Sequence, residues 1–366
     1  MKSILLTSTA LVAFSGAAYA EAHSGVSFAG EATLGYNDDT AGDNTGFYWD
    51  AAVDVTFAAT LDNGVTAGAT WSFDVVENDA FSTGPDIDAD DFVVFVESEM
   101  ASLYFGDTDP AAEPNYTGVD GSHLEFNDKT VHEGEFDAII RGDVNVGGVF
   151  ASLSYGVNEG VNEDALDALQ VYASSEFGTF AVEAAYQGEL DAVPGSEALI
   201  GLGVSTTFAG ADVGLGFLSQ GDESSIGVDV SYPVGPVVIG GYYSVNEESS
   251  EDSWGLSADY ADGPIAVSAF YDLTGETTAD AEETEIGVEG SYDTGIGATV
   301  LAGFITTDVD DGSDSTSVYY VAGTYDLGGG AELLVSYGVD DDSTAGDEIG
   351  DPEYQEGVTV EVSFSF

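Results

Sequence analysis

The stretch "EGVTVEVSFSF", residues 356–366, alternates apolar and polar side chains from Val358 to its last residue. In a β-strand, successive side chains point to opposite faces, so one face of this segment carries Val and Phe and the other Thr, Glu and Ser. A strand at the end of a chain usually frays unless something holds it. We therefore expect both edges of this strand to be paired, as they are in a sheet that closes on itself.

The same period of two recurs along the chain. Both "VSFAGEATLGY" (26–36) and "FYWDAAVDVTFAATL" (47–61) place their large apolar residues on one parity. This pattern is typical of strands with one apolar face. Counting such segments between turn signals predicts 20 strands. An even number is what an antiparallel barrel with both termini on the periplasmic side requires.

Two kinds of connection are predicted to alternate strictly along the chain. Short turns such as "DNG" (62–64) contain Gly, Asn or Asp, which tolerate the positive φ values of tight hairpins. Longer acidic loops such as "ENDAFSTGPDIDADD" (77–91) lie between them. Short turns at one end and long loops at the other are typical of an outer-membrane barrel. A β-sandwich would give no reason for this segregation.

Aromatic residues mark both ends of the predicted strands. Those that precede short turns are Phe208, Tyr232, Tyr260, Tyr292 and Tyr325. Those that precede long loops are Tyr36, Tyr155, Tyr186, Tyr243, Tyr271, Phe304 and Tyr337. Nearly all share the parity of the apolar face, which predicts two girdles at the two membrane–water interfaces. The alternative, aromatic packing in a soluble core, would scatter the rings along the strands.

The first 20 residues, "MKSILLTSTALVAFSGAAYA", have the features of a secretory signal peptide. Lys2 supplies the positive region, a short apolar stretch follows, and Ala18-Tyr19-Ala20 is a small-residue cleavage motif. We expect a cleaved signal peptide over 1–20 and a single barrel domain over 21–366. No later stretch approaches the length of apolar sequence that a transmembrane helix needs.

The charge of the chain is extreme, with 69 Asp and Glu, 3 Lys and Arg, and a formal net charge of −66. Beyond residue 20 the only bases are Lys129 and Arg141. Nucleic acid is therefore not expected as a partner, because its binding depends on Lys and Arg. A hydrophobic content of 43% nevertheless argues for a folded chain. Cys is absent, so hydrogen bonds and burial must provide the stability that disulfides give other exported proteins.

Two segments, "LYFGDTDPAAE" (103–113) and "VYYVAGTYDLGGGAELLVSYG" (318–338), resemble the general porins of alphaproteobacteria, the Rhodobacter type. An alternating last strand that ends in Phe also resembles the signal read by the outer-membrane assembly machinery. The resemblance implies a homotrimer of 16-stranded barrels, each narrowed by an infolded third loop, in the outer membrane of a Gram-negative bacterium. It implies passive diffusion of small hydrophilic solutes and ions. The count of 20 departs from the family pattern, and we favour 20.

The third long connection, residues 107–135, is the predicted constriction, because the resemblance implies that it folds into the barrel and long loops are usually functional. Its predicted site residues are Asp107, Asp109, Glu113, Asp120, Glu125, Asp128 and Lys129. The alternative is a solvated surface loop, acidic like the others.

The pore wall facing this loop follows from strand parity. Its predicted residues are Glu31, Asp50, Asp54, Asp74, Asp137, Arg141 and Asp143, and the same parity also turns Glu97, Glu183, Asp229 and Asp259 into the lumen. Porins of this type usually place basic residues opposite the loop carboxylates, whereas this sequence offers acids there. Rings of Asp and Glu favour cations, so we expect a cation-selective channel. Arg141 either neutralises its neighbouring carboxylates or shapes the narrowest section together with Lys129.

The sequence does not decide whether the acidic loops bind metal ions. The segments "DIDADD" (86–91) and "DVDDGSD" (308–314) supply candidate Ca²⁺ ligands in Asp86, Asp88, Asp90, Asp308 and Asp310. Neither has the spacing or the terminal Glu of an EF-hand loop. No cofactor is expected to be required; bound Ca²⁺ or Mg²⁺ is one interpretation of these loops and solvated acids are the other.

Two other functions remain as alternatives. A secreted Ca²⁺-dependent adhesin rich in β-structure would explain the acidity and the lack of Cys, but not the girdles or the terminal Phe. An outer-membrane barrel hydrolase would need a nucleophile and a base, and the neighbouring Ser122 and His123 do not by themselves provide that geometry. The sequence contains no G-x-S-x-G, P-loop or G-x-G-x-x-G motif, so we expect no enzyme.

Overall fold

A computed structural model describes residues 23–38, 46–78, 88–116, 118, 138–157, 166–189, 197–246, 252–275, 282–310, 315–339, 354 and 356–366. These residues form one 20-stranded antiparallel sheet. Its strands are β1 His23–Asp38, β2 Gly46–Thr60, β3 Thr66–Asn78, β4 Asp88–Glu97, β5 Ala101–Gly106, β6 Ala138–Val146, β7 Val149–Val157, β8 Leu166–Phe177, β9 Phe180–Gln187, β10 Leu199–Phe208, β11 Ala211–Gln220, β12 Glu223–Val234, β13 Val237–Asn246, β14 Asp252–Asp262, β15 Ile265–Thr274, β16 Glu283–Asp293, β17 Ala298–Val309, β18 Thr316–Gly328, β19 Ala331–Val339 and β20 Gly357–Ser365. The predicted number of strands is confirmed.

The sheet is closed, because every strand pairs with its neighbours in sequence and β1 also pairs with β20. The β1–β20 register runs from Glu31 opposite Ser365 to Asp38 opposite Val358. The strand β20 ends one residue before the chain does, but Phe366 still exchanges both backbone hydrogen bonds with Gly30, each at 2.9 Å. The expected pairing of the last strand on both edges is therefore confirmed, and the barrel leaves no open edge.

The two faces of the sheet have the composition that the parity predicts. Large apolar side chains such as Phe28, Phe208 and Val321 are exposed on the outer face, at 63%, 74% and 54% of their surface. Every aromatic residue assigned to a girdle lies on this outward parity in the observed register. An apolar surface around the whole barrel has lipid as its solvent, and a secreted adhesin in water does not account for it.

Turns explain most of the hairpins, and one connection departs from the prediction. Gly147 and Gly148, with φ of 65° and 83°, join β6 and β7 in the positive-φ conformation that a two-residue hairpin turn requires. At the opposite end, β11 and β12 are joined only by Gly221 and Asp222. The strict alternation of short and long connections is therefore wrong at this position: an Asp next to a positive-φ Gly (φ 57°) closes a tight turn where a long loop was expected.

No helix in the part of the chain that the structure describes is both long and apolar enough to cross a membrane.

Candidate functional site

The barrel encloses a water-accessible cavity of about 1780 Å³, lined mainly by inward-facing residues of β7 to β17. The described part of its lining contains eight carboxylates: Glu176, Glu183, Asp212, Asp229, Asp259, Asp272, Glu285 and Glu289. Among the described residues that line it, none is Lys, Arg or His. The cavity is therefore a region of negative potential, and low-dielectric walls concentrate such a potential.

Hydroxyl groups are the main partners of the carboxylates on the inner wall. Four inward-facing tyrosines donate to carboxylates of nearby strands: Tyr48 to Glu361, Tyr104 to Glu97, Tyr172 to Glu183 and Tyr320 to Glu289. Ser72 and Ser152 do the same for Asp54 and Asp143, each at 2.6 Å. A hydroxyl satisfies an oxygen lone pair and carries no charge, so these bonds hold the carboxylates in position without adding a positive charge to the wall.

Arg141, on β6, is the single base whose side chain the described residues place on the inner wall. Its Nε lies 3.4 Å from Oδ2 of Asp143, and its guanidinium carbon lies 4.8 Å from the centre of the Tyr104 ring. One NH group donates to the backbone carbonyl of Asp109 at 2.7 Å. The side chain thus links the wall to the third long connection, which in the structure joins Gly106 to Ala138.

The beginning of this third connection, residues 107–116, is packed against the inner wall; we call it the loop root. Ala111 and Ala112 have no exposed surface. The amide of Ala111 donates to Oγ of Ser154 at 2.8 Å, and the amide of Ala112 donates to Oε1 of Gln170 at 2.8 Å. Because both partners point into the barrel from β7 and β8, the loop root lies inside the wall at that level.

Tyr116, the last residue of the loop root, attaches it to two more strands of the barrel, β10 and β11. Its ring is 7% exposed and packs with Tyr172, Leu199 and Leu218. Its hydroxyl lies 3.2 Å from the carbonyl oxygen of Leu202 and 3.1 Å from that of Phe217, so its single proton is shared between β10 and β11. Burial, aided by the charge of Glu183, raises the pKa of Tyr116, which keeps the hydroxyl protonated and able to donate.

The structure places the predicted site residues as follows. The loop residues Asp107, Asp109 and Glu113 belong to the loop root, where the Asp107 carboxylate accepts the amide of Phe92 at 2.7 Å. The wall residues that register turns inward are Glu31, Asp50, Asp54, Asp74, Arg141 and Asp143. The predicted residues outside the described part are Asp120, Glu125, Asp128, Lys129 and Asp137.

The candidate Ca²⁺ ligands are not brought together in the described part of the chain. Asp86 lies outside it, and Asp88 and Asp90 belong to the first four residues of β4, of which only the backbone is described. Asp308 is exposed on the outward parity of β17, and Asp310 is exposed just after that strand. Among the described residues, no three His, Cys, Asp or Glu side chains could hold one metal ion.

The parity prediction turned Glu183, Asp229 and Asp259 into the lumen, and all three line the cavity, but it did not name the other carboxylates there: Glu176, Asp212, Asp272, Glu285 and Glu289. Asp272 on β15 and Glu285 on β16 are opposite each other. Glu289 lies four residues after Glu285 on β16 and has the same inward parity. The parity rule that selected Asp50 and Asp54 also selects these residues. Gln170, the acceptor for the loop root, had no signal in the sequence, because nothing local indicates which uncharged inward residue meets a loop.

A closed barrel with an apolar outer surface and an aqueous, charged interior is a transmembrane channel. The family comparison agrees with this architecture: the model of the Gram-negative porins matches residues 7–261 and 219–345. The chain therefore belongs to the Gram-negative porin family and forms a diffusion channel in the outer membrane.

Comparisons with individual proteins give distant similarities. No curated protein sequence matches the chain significantly. Vibrio cholerae OmpT with loop L8 deleted is 14% identical, with a TM-score of 0.44 over 94% of this chain and 99% of that one. The in-vitro folded, trimeric form of OmpT is 15% identical, with a TM-score of 0.42 over 94% and 99%. A triple mutant of the Rhodopseudomonas blastica porin is 16% identical, with a TM-score of 0.45 over 93% and 100%.

Proposed function

We propose that this porin conducts cations in preference to anions. The observation that carries the proposal is the cavity lining, in which eight carboxylates face the water and no described residue supplies a positive charge. The one described base of the inner wall, Arg141, is already engaged with Asp143, Tyr104 and the loop root. Carboxylate-lined pores favour cations because each carboxylate attracts them and repels anions.

The test is a planar-bilayer recording of the purified channel in a salt gradient at about 0.1 M, where the Debye length is about 10 Å. We expect a reversal potential of the cation-selective sign that decreases, without changing sign, as the salt concentration is raised to about 1 M and screening shortens to about 3 Å. An anion-selective sign at low salt would refute the proposal.

We also propose that the third connection narrows the lumen. Support comes from the loop root, whose backbone bonds to the inner wall at Ser154 and Gln170 and whose Tyr116 reaches β10 and β11. Deletion of about ten residues around Asp120 should raise the single-channel conductance, since a shorter loop fills less of the lumen. An unchanged conductance would place the remainder of the loop outside the pore. A matched deletion within 340–353 serves as the control.

For assembly and export, we propose a homotrimer of the alphaproteobacterial, Rhodobacter-type class whose signal peptide, residues 1–20, is cleaved. The short segments at 103–113 and 318–338 support that class. The mass of the detergent-extracted complex tests the trimer, and the N-terminal sequence of the protein from outer membranes tests the cleavage. We propose that small hydrophilic solutes and cations are the cargo, with lipid as the surrounding partner.

We propose no catalytic role and no required cofactor. The histidines that a hydrolase would draw on are His23, at the start of β1, and His123 and His132, outside the described residues. Ca²⁺ or Mg²⁺ bound to the acidic loops remains a proposal. Equilibrium dialysis with each ion, compared with the same protein in high salt, separates specific binding from a diffuse cation atmosphere.

A further inference from the structure

One attachment of the loop root to the wall is both buried and uncharged. Gln170, on β8, has no exposed surface and points into the barrel beneath the loop root. Its Oε1 accepts the amide of Ala112 at 2.8 Å and the amide of Glu113 at 3.4 Å. Its Nε2 donates to Oε1 of Gln187 at 2.9 Å, and Gln187 is 1% exposed. Two buried carboxamides thus form a relay from β9 to the loop backbone.

The relay provides a hydrogen-bond acceptor for backbone amides of the loop root that are buried against the wall. Ala112 is fully buried in a cluster with Tyr172, Ala185 and Leu199, so its amide needs an acceptor there. A buried backbone N–H without an acceptor is strongly unfavourable, so the loop root can rest on this wall only where an acceptor is provided. Gln187 fixes which end of the Gln170 carboxamide faces the loop. The reversed amide would present its NH₂ group to two N–H donors.

We propose that Gln170 is the residue that positions the loop root, and with it the constriction, on the wall of the pore. This inference rests on the proposed narrowing of the lumen by the third connection. Gln170 acts through the backbone of Ala112 and Glu113 and does not touch the permeating solute. The wall contributes further attachments, among them Ser154 to Ala111 and Arg141 to the carbonyl of Asp109.

The chemistry of the relay has a consequence for the channel. Salt screens charged contacts at exposed sites, whereas buried bonds between neutral groups are not screened. This attachment of the loop root therefore does not depend on ionic strength, although the charge preference of the lumen does. The relay therefore contributes to the width of the channel in a way that salt does not weaken, whereas the charge preference that the carboxylates provide is weakened by salt.

The experiment compares three variants by single-channel recording at about 1 M salt, where charge selectivity is largely screened. Gln170→Met keeps the length of the side chain but removes both the acceptor and the donor. Gln170→Glu keeps an acceptor for the two amides, and the Gln187 carboxamide can turn to donate to it. Gln220→Met is the control, because Gln220 points inward from β11 and bonds to the carbonyl of Glu197, not to the loop root.

Loss of an acceptor for buried amides corresponds to about a tenfold fall in the ratio of attached to detached loop root. We expect Gln170→Met to raise about tenfold the time spent in a level of higher conductance, while Gln170→Glu and Gln220→Met behave like the wild type. Liposome swelling with sugars of increasing size should show a larger size limit for Gln170→Met alone. Heat-modifiable migration in detergent gels checks that each barrel is closed.

The outcomes separate the inference from the proposal on which it rests. If the deletion around Asp120 raises conductance but Gln170→Met does not, Gln170 does not position the loop and the inference is wrong. If neither change alters conductance, the third connection is not the constriction. An equal effect of Gln220→Met would also overturn the inference. Should Gln170→Met fail to assemble, Gln187→Met tests the same relay by removing only the orienting partner, and a wild-type record from it contradicts the inference.

Discussion

The charge preference of the channel can be tested at one pair of residues, Asp272 and Glu285. They face each other across β15 and β16 on the inward parity, and both line the cavity. A cation that passes about 6 Å from a carboxylate through water gains about 0.7 kcal/mol, which screening at about 0.1 M salt reduces to about 0.4 kcal/mol. Removing both charges therefore costs a passing cation about 0.8 kcal/mol, or about a fourfold lower occupancy of this part of the lumen.

The perturbation is the double substitution Asp272→Asn with Glu285→Gln, which preserves shape and removes two charges. We expect the cation-to-anion permeability ratio from reversal potentials at about 0.1 M salt to fall by at least about fourfold, and the difference from wild type to vanish near 1 M. The control, Asp252→Asn with Asp308→Asn, removes two charges from the outward parity of β14 and β17. An equal loss of selectivity in both doubles, or none in either, would refute the assignment of selectivity to the cavity wall.

Two further predictions concern closure of the barrel and the single base of the wall. A Cβ added at Gly30 would lie 2.6 Å from the Phe366 ring and 3.0 Å from a backbone oxygen, so Gly30→Val should lower the temperature at which the barrel unfolds in detergent gels; Gly25→Val, with nothing within 4 Å, should not, and equal shifts would contradict the contact. Arg141→Ala should raise both conductance and cation preference, because it removes a positive charge and the bond to Asp109. Arg141→Lys should return the cation preference to that of the wild type and the conductance only part of the way. If Arg141→Ala has the conductance and the cation preference of the wild type, Arg141 affects neither property.

Most of the fold can be predicted from the alternation of apolar and polar residues. The same pattern indicates where a strand lies, which of its side chains point outward, and which face contacts the membrane. Val358, Val360 and Val362 are assigned outward by parity alone, and the observed register agrees. The number of strands is recoverable for the same reason: each strand needs an apolar face, and each turn interrupts the alternation. The short turn at Gly221 and Asp222 was not predicted, because the length of a connection depends on the local turn residues and not on the alternation of short and long connections along the barrel.

The site is less accessible from sequence than the fold. Parity identifies which side chains enter the lumen, but not which of them meet one another across it. Asp109 was predicted for its carboxylate, and the group that the structure uses at that position is its carbonyl, bonded to Arg141. Gln170 is silent in the sequence because its role depends on where the loop root crosses β8, a long-range property of the closed sheet.

The pairing of β1 with β20 also constrains the order in which the strands of the barrel assemble. Buried Asn37 donates to Thr359 at 2.9 Å, a contact between residues 322 positions apart. Loop-closure entropy makes such a contact about 3 kcal/mol less favourable than that of a ten-residue hairpin. The seam therefore forms late, after the adjacent hairpins have organised the rest of the sheet. Until that step, two strand edges and an apolar surface are exposed together, a combination prone to aggregation. Cells that export this chain must accordingly keep it soluble in the periplasm for the whole interval between translocation of β1 and arrival of β20 at the membrane.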